Sequence, residues 1–271
     1  MRSILYEAKK HLSFRETWVG YILGLGYLIL SLKVTTETIP NIGQRWYAIY
    51  QNIYSYGAML SAFLTVIGIS RLMCYEHERK TDALICTAAE GRRTSFSSKI
   101  GFAAMYCAVI VIIIGIVSIL YHCSSFGFEG ALSPITECLY FSVEGCPTIP
   151  KLAYCVFQYL LLYLGVLYFA GFVMIIAAIT KRTALTIFLS GGTYLALIAH
   201  YVVGYRFFRG IALQIADTVW DFSFAGFMMQ ESYSWSSNLW ADIWKPILVV
   251  LCIILIEGVL LWMLWHRKDR K

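Results

Sequence analysis

Long apolar stretches alternate with short polar segments along the whole chain. Six stretches are close to the length of about 20 residues that a helix needs to cross the hydrocarbon core of a bilayer. They are residues 17–34, 54–73, 100–121, 152–180, 183–204 and 246–265. The pattern predicts an all-α integral membrane protein with six transmembrane helices, and it gives no reason to divide residues 1–271 into more than one domain.

Two polar segments differ from simple loops. Residues 1–16 mix apolar and basic positions, which favours an amphipathic helix on the membrane surface, although a frayed tail would have the same composition. Residues 205–245 are rich in Trp, Tyr and Phe, which suit the membrane interface. This second segment predicts one or two short helices, a hairpin that lies in the interface or re-enters the bilayer before the last span.

Composition and charge support a membrane location and suggest an orientation. The chain is 59% hydrophobic and 14% charged, whereas soluble domains are about 25% charged. With the amino terminus inside, segments 2–16, 71–99, 181–182 and 266–271 hold 16 of the 22 Lys and Arg residues. Inner loops are enriched in Lys and Arg, so both termini are predicted to be cytoplasmic. The net charge of +6 lies beside apolar spans and does not indicate nucleic-acid binding.

No catalytic or metal site is predicted. The eight cysteines lack the spacing of a metal site. Three of them, Cys123, Cys138 and Cys146, share one predicted outer loop, where two could form a disulfide. Ser190 and His200 could suggest a hydrolase dyad, but ten residues on one helix separate them by about 15 Å. Small residues that allow close helix packing are the better interpretation of the Ser190 region.

The charged segment between the second and third spans carries the most information. Residues 74–99 begin with Glu76 and Glu78, continue with Thr81 and the pair Leu84-Ile85, and end with Arg92, Arg93 and Lys99. This order resembles the cytoplasmic loop between spans two and three of ABC-2 type transporter permeases. Lys80 stands where that family commonly has Gly, and Ala89 stands where it commonly has Pro. The six-span topology resembles the same family.

The resemblance implies that this loop is a coupling helix that docks on a separate ATPase. The residues implied in coupling are Glu76, Glu78, Arg79, Thr81, Leu84, Ile85 and Arg92. We expect Glu76 and Lys80 to pair along the helix, Gly91 to end it, and Arg92, Arg93 and Lys99 to lie at the headgroups. The alternative is an ordinary charged loop that follows the positive-inside rule.

The resemblance also implies partners, because the chain lacks the phosphate-binding motif G-x-x-x-x-G-K-[ST]. It would then have no cofactor and no enzyme activity of its own, with ATP and Mg²⁺ on a dimeric ATPase subunit. A second permease, identical or homologous, would complete the path. The implied function is export of an amphipathic substrate (a drug, an antimicrobial peptide or a lipid-like molecule) across the plasma membrane of a bacterium. A non-transporting sensor or assembly factor and, less favoured, an intramembrane hydrolase are the alternatives.

Glu257 is an acid deep within the sixth apolar stretch. Acids at this depth are costly and usually face a bundle interior or a cavity. The sequence leaves open whether Glu257 would contact a cationic substrate or bond a Tyr or Ser side chain of a neighbouring helix.

Overall fold

The computed structural model of the chain describes residues 2–38, 46, 49, 52–81, 91–137, 149–229 and 239–266. This part is helical, with no strand beyond an isolated bridge between Pro134 and Pro150. The α-helices in chain order are α1 Arg2–Leu12, α2 Arg15–Thr38, α3 Ala58–Glu78, α4 Gly91–Phe126, α5 Lys151–Thr180, α6 Thr183–Phe207, α7 Ile211–Phe222, α8 Phe224–Met228 and α9 Leu239–His266. A π-helical turn, Ile53–Gly57, precedes α3, and a 3₁₀ turn, Ile135–Glu137, follows α4.

Six of these helices, α2 to α6 and α9, are long and apolar enough to cross a membrane. We call them the span helices. The predictions of an all-α chain and of six apolar spans are confirmed. The candidate spans are Thr17–Thr35, Ser55–Glu78, Arg93–Phe126, Lys151–Thr180, Thr183–Val203 and Ile247–Trp265.

The second and third spans are longer than the apolar pattern predicts. Helix α3 continues through Glu78, and α4 begins at Gly91, well before the apolar stretch that starts at residue 100. Much of the charged segment 74–99 is therefore part of two long helices. Gly91 is the first residue of α4, and the residues before it, where the helix predicted to end at Gly91 would lie, are outside the described part.

Helix α5 is central and contacts α3, α4, α6, α8 and α9. It has no charged residue between positions 152 and 180, and a helix that is apolar on all sides suits burial among other helices. Gly165 lets the short helix α8 come close, since a Cβ at that position would lie 2.7 Å from Cγ of Met228. Phe224 of α8 packs on Phe169 of α5, with ring centres 4.7 Å apart.

The two unusual polar segments both contain helices where the structure describes them. The amino-terminal segment forms α1, which packs against α2, α3 and α4. Region 205–245 contains α7 and the buried helix α8 before the start of α9, and its residues 230–238 lie outside the described part. Of the three cysteines predicted in an outer loop, Cys123 is a free thiol, and the other two lie outside the described residues.

Candidate functional site

A buried ion cluster joins three helices at one end of the bundle. Its centre is Glu76, in the last turn of α3. Lys10 of α1 donates to Oε1 of Glu76 at 2.9 Å, and Lys99 of α4 donates to Oε2 at 2.6 Å. Each carboxylate oxygen thus accepts a hydrogen bond from a different helix. We call this end of the bundle the basic end and the group Glu7, Lys10, Glu76 and Lys99 the ion cluster.

Lys99 is the most deeply buried member, with a relative exposure of 1%. Its ammonium lies 5.3 Å from the ring centre of Trp265, near the carboxyl end of α9. A buried ammonium is stable only when it is paired and hydrogen-bonded, and Glu76 supplies both. The prediction that Lys99 lies at the headgroups is wrong, because the side chain points into the bundle and binds Glu76.

Lys10 links α1 to the cluster through two carboxylates. Besides Glu76 it contacts Glu7, one turn earlier in α1, at 3.0 Å. Burial alone would lower the pKa of Lys10, but the charges of Glu76 and Glu7 and the hydrogen bonds to them outweigh burial and raise that pKa above its usual value. Lys10 is therefore a stable cation that holds α1 against α3.

Aromatic rings cover the cluster next to Lys10. The ring of Tyr75 lies 5.2 Å from the Lys10 ammonium and 5.7 Å from the Arg79 guanidinium. Phe14, which follows α1, packs on Tyr75 with ring centres 4.9 Å apart. Such cation–π contacts add to the attraction between α1 and α3. The structure thus places the Arg79 guanidinium over the Tyr75 ring.

Glu78 connects α3 to a different helix. Its Oε2 accepts from Arg71 at 3.1 Å, and its Oε1 accepts from the backbone N–H of Thr183 at 2.7 Å. Thr183 is the first residue of α6. The first N–H groups of a helix lack partners within the helix and carry partial positive charge, so Glu78 stabilises the start of α6.

Helix α3 ends in a tight turn just after Glu78. The N–H of Thr81 donates to the carbonyl of Glu76 at 2.9 Å, and the N–H of Lys80 donates to that of His77 at 3.1 Å. This pair of bonds is the Schellman motif, whose left-handed position usually holds glycine. Here Lys80 occupies it, with φ of 57°. The predicted Glu76–Lys80 pair is therefore wrong: Lys80 lies beyond the helix, and Glu76 binds Lys10 and Lys99.

The structure brings together some of the predicted coupling residues. Glu76, Glu78, Arg79 and Thr81 meet at the carboxyl end of α3. Leu84 and Ile85 lie outside the described residues, and Arg92 is in the first turn of α4 with a side chain outside them. The sequence prediction missed Lys10 as the partner of Glu76, since 66 positions separate the two. The only signal was the basic character of segment 1–16.

An apolar cleft of about 440 Å³ lies between α2, α3 and α6. Leu23 and Phe63 line it and are exposed, so it opens on the outside of the bundle. Tyr194 of α6 also lines it, and its hydroxyl is buried without a hydrogen-bond partner among the described residues. The cleft can hold an apolar group of small-molecule size, and Tyr194 can donate one hydrogen bond to it.

Two intramembrane residues from the sequence prediction are also located. Glu257 is buried on α9, against Gly171 of α5. The hydroxyl of Ser190 donates to the backbone carbonyl of Thr186 at 2.6 Å, as expected for a serine that packs within a helix bundle.

Comparison with known proteins finds no family model and no curated protein that match the chain.

Proposed function

We propose that this chain is the membrane permease subunit of an ATP-binding-cassette exporter, driven by a separate ATPase subunit at the basic end. The observation that carries the proposal is the ion cluster. It joins α1, α3 and α4 through Glu76, at the two helix ends between which residues 82–90 lie in the sequence. The family resemblance implies a docking role for segment 74–99, which includes these residues.

The ion cluster suits the transmission of a displacement. A push on residues 82–90 would act on the carboxyl end of α3 and the amino end of α4, which flank these residues in the chain. Because Glu76 binds Lys99, these two helix ends are held together, and Lys10 adds α1 to the same unit. Glu78 extends the connection to the start of α6. A push at these helix ends would therefore shift several spans together.

The cleft between α2, α3 and α6 supports an apolar or amphipathic cargo. Its walls carry almost no polar surface, and the Tyr194 hydroxyl is available to an acceptor group of the cargo. Two of its walls, α3 and α6, are also the helices that Glu78 connects at the basic end. A displacement at that end would move these two walls together relative to the third wall, α2, and so change the shape of the cleft.

The proposed assembly contains two permease chains, identical or homologous, and an ATPase dimer that binds ATP and Mg²⁺. On this chain we assign no catalytic residue and no cofactor. The proposed location is the plasma membrane of a bacterium, with the basic end and both termini in the cytoplasm. That orientation follows from the distribution of Lys and Arg residues.

Affinity purification from native membranes tests the proposal. The tagged chain is expected to retain an ATPase subunit, identified by mass spectrometry through its phosphate-binding motif. Leu84→Asp combined with Ile85→Asp should abolish that association, because two charges would replace an apolar pair that the resemblance implies in coupling. Neither substitution removes a member of the ion cluster, so the variant should keep the thermal midpoint of the wild type.

Leu132→Asp is the matched control. It adds a charge at an exposed leucine in the segment between α4 and α5, and should leave the ATPase bound. The proposal fails if the wild-type chain retains no ATPase from its native membrane. It also fails if the Leu84/Ile85 variant retains as much ATPase as the Leu132 variant.

A further inference from the structure

Glu257 is a buried acid near the middle of the last span helix. It lies ten residues after the start of the span Ile247–Trp265 and eight before its end, about 15 Å and about 12 Å of helix rise. The side chain has a relative exposure of 8%. Glu257 is therefore far from water at either end and is enclosed by the protein.

The carboxyl group of Glu257 rests on the backbone of α5 at Gly171. A Cβ at position 171 would lie 2.9 Å from Cδ of Glu257 and even closer to Oε2. Only glycine leaves room for the carboxyl group in this position. The site is therefore a fitted contact between α5 and α9.

No cation faces this carboxyl group in the described residues. Helix α5 between positions 152 and 180 and the span of α9 contain no Lys or Arg residue. Helix α8 touches α9 through Phe227 and has no titratable residue. The titratable neighbour on α5 is Tyr168, whose hydroxyl donates to the carbonyl of Phe222 at 3.3 Å. Lys99 of α4 approaches α9 only at Trp265, one end of the span.

The carboxyl oxygen next to Gly171 also lacks a hydrogen-bond donor. Oε2 of Glu257 is buried and has no hydrogen-bond partner in the part of the chain that the structure describes. An ionised carboxylate in apolar surroundings needs a cation or donors, and a carboxylate that lacks both takes up a proton. Glu76 shows the opposite case in the same protein, with an ammonium on each oxygen.

We propose that Glu257 is a proton-binding site between α5 and α9. One proton from water binds the carboxylate, an O–H bond forms, and the charge of the group changes from −1 to 0. The neutral acid lies against α5 at Gly171, and release of the proton requires α5 and α9 to separate enough for water to enter. The site holds a proton whether or not an ATPase acts at the basic end.

Infrared difference spectroscopy tests the protonation state directly. The spectrum of the wild-type chain at pH 7, minus that of Glu257→Gln, should contain the C=O stretching band of a protonated carboxyl group. That band should move to lower frequency in D₂O. A difference spectrum with only carboxylate bands would overturn the proposal and would indicate a cation supplied by another molecule.

Labelling with dicyclohexylcarbodiimide provides a test that needs no variant. This apolar reagent takes the proton of a carboxylic acid onto nitrogen, the carboxylate then adds to its central carbon, and the adduct rearranges to a stable N-acylurea. Mass spectrometry should find the adduct on Glu257 at pH 7 and a loss of labelling as the pH rises. Glu76, ionised and bound by two lysines, is the internal control and should stay unlabelled. Equal labelling of both residues, or labelling of Glu76 alone, would contradict the proposal.

Discussion

At the residue scale, Glu76 organises the basic end because each of its oxygens binds an ammonium from a different helix. A buried ion pair contributes little compared with a well-packed apolar alternative, but removal of one partner leaves an uncompensated charge. Glu76 is therefore a residue whose loss is costly even if the cluster as a whole adds little stability. Removal of one member of the cluster should therefore cause a measurable loss of stability.

Glu76→Gln should lower the free energy of unfolding by about 3 kcal/mol, because it leaves Lys99 buried without a countercharge. Thermal or denaturant unfolding in detergent would measure the loss. Glu37→Gln makes the same chemical change in an exposed pair with Lys33, whose ions are 3.9 Å apart, and should change stability by no more than about 0.5 kcal/mol. Adding Lys99→Met to Glu76→Gln should recover part of the stability. Equal effects of the two Gln variants would show that the ion cluster is not buried as described.

Lys80→Gly should stabilise the chain by about 1 kcal/mol, because Lys80 has φ of 57° and non-glycine residues are strained there. The shift in thermal midpoint would measure the gain. Lys9→Gly is the control: Lys9 is an exposed residue within α1, so glycine should destabilise the chain by about 1 kcal/mol. A loss of stability in Lys80→Gly would argue against the left-handed turn at the end of α3.

At the element scale, the sequence predicted which segments form spans. It did not predict that the second span helix, α3, extends to Glu78 or that the third, α4, begins at Gly91. Apolar stretches identify spans because about 20 apolar residues are needed to cross a bilayer. The charged residues at 76, 78 and 99 gave no sign that the second and third span helices, α3 and α4, extend to include them. A charge is tolerated in such a helix only when it has partners, and the sequence does not show the partners that come from distant segments. The predicted pairing of Glu76 with Lys80 was wrong for this reason, since its partners Lys10 and Lys99 come from other helices, and the coupling role of the segment stays a prediction.

Helix α1 is held against the bundle by His11 as well as by Lys10. The His11 ring is buried, lies 4.8 Å from the ring centre of Tyr106 and is within 3.1 Å of the Tyr21 hydroxyl. Burial lowers the pKa of His11 to about 4, whereas an unfolded chain has a histidine pKa of about 6.5. Between these values the unfolded chain binds more protons than the folded chain.

Stability should therefore fall as the pH drops from about 6.5 to about 4, and the His11 contribution to that loss should reach about 3 kcal/mol. Thermal midpoints measured over this pH range would follow it. His11→Phe keeps an aromatic ring among Phe14, Phe102 and Tyr106 and removes the titrating group, so its midpoint should depend less on pH. Parallel pH profiles for the wild type and His11→Phe would contradict a buried neutral His11.

At the scale of the whole molecule, α5 is the common core, and two polar features lie at different depths around it. The ion cluster is at the basic end, where Glu78 also reaches α6, and Glu257 lies against the middle of α5. The apolar cleft is on another side of the bundle, between α2, α3 and α6. Hydrophobic patterning could predict six spans and the isolated acid in the last of them. It could not predict the cleft, which depends on how three helices separated in the chain pack together.

The proposed action of a cytoplasmic motor depends on the orientation of the basic end. Cys86 lies between α3 and α4 in the sequence, so its accessibility would report that orientation. Wild-type vesicles of both orientations would be treated with a membrane-impermeant maleimide, and the modified peptides would be identified by mass spectrometry. We predict that Cys86 reacts only where the cytoplasmic face is accessible, while Cys138 reacts from the opposite side. Modification of Cys86 in sealed vesicles that expose only the outer face would contradict the proposed action of a cytoplasmic ATPase on this chain.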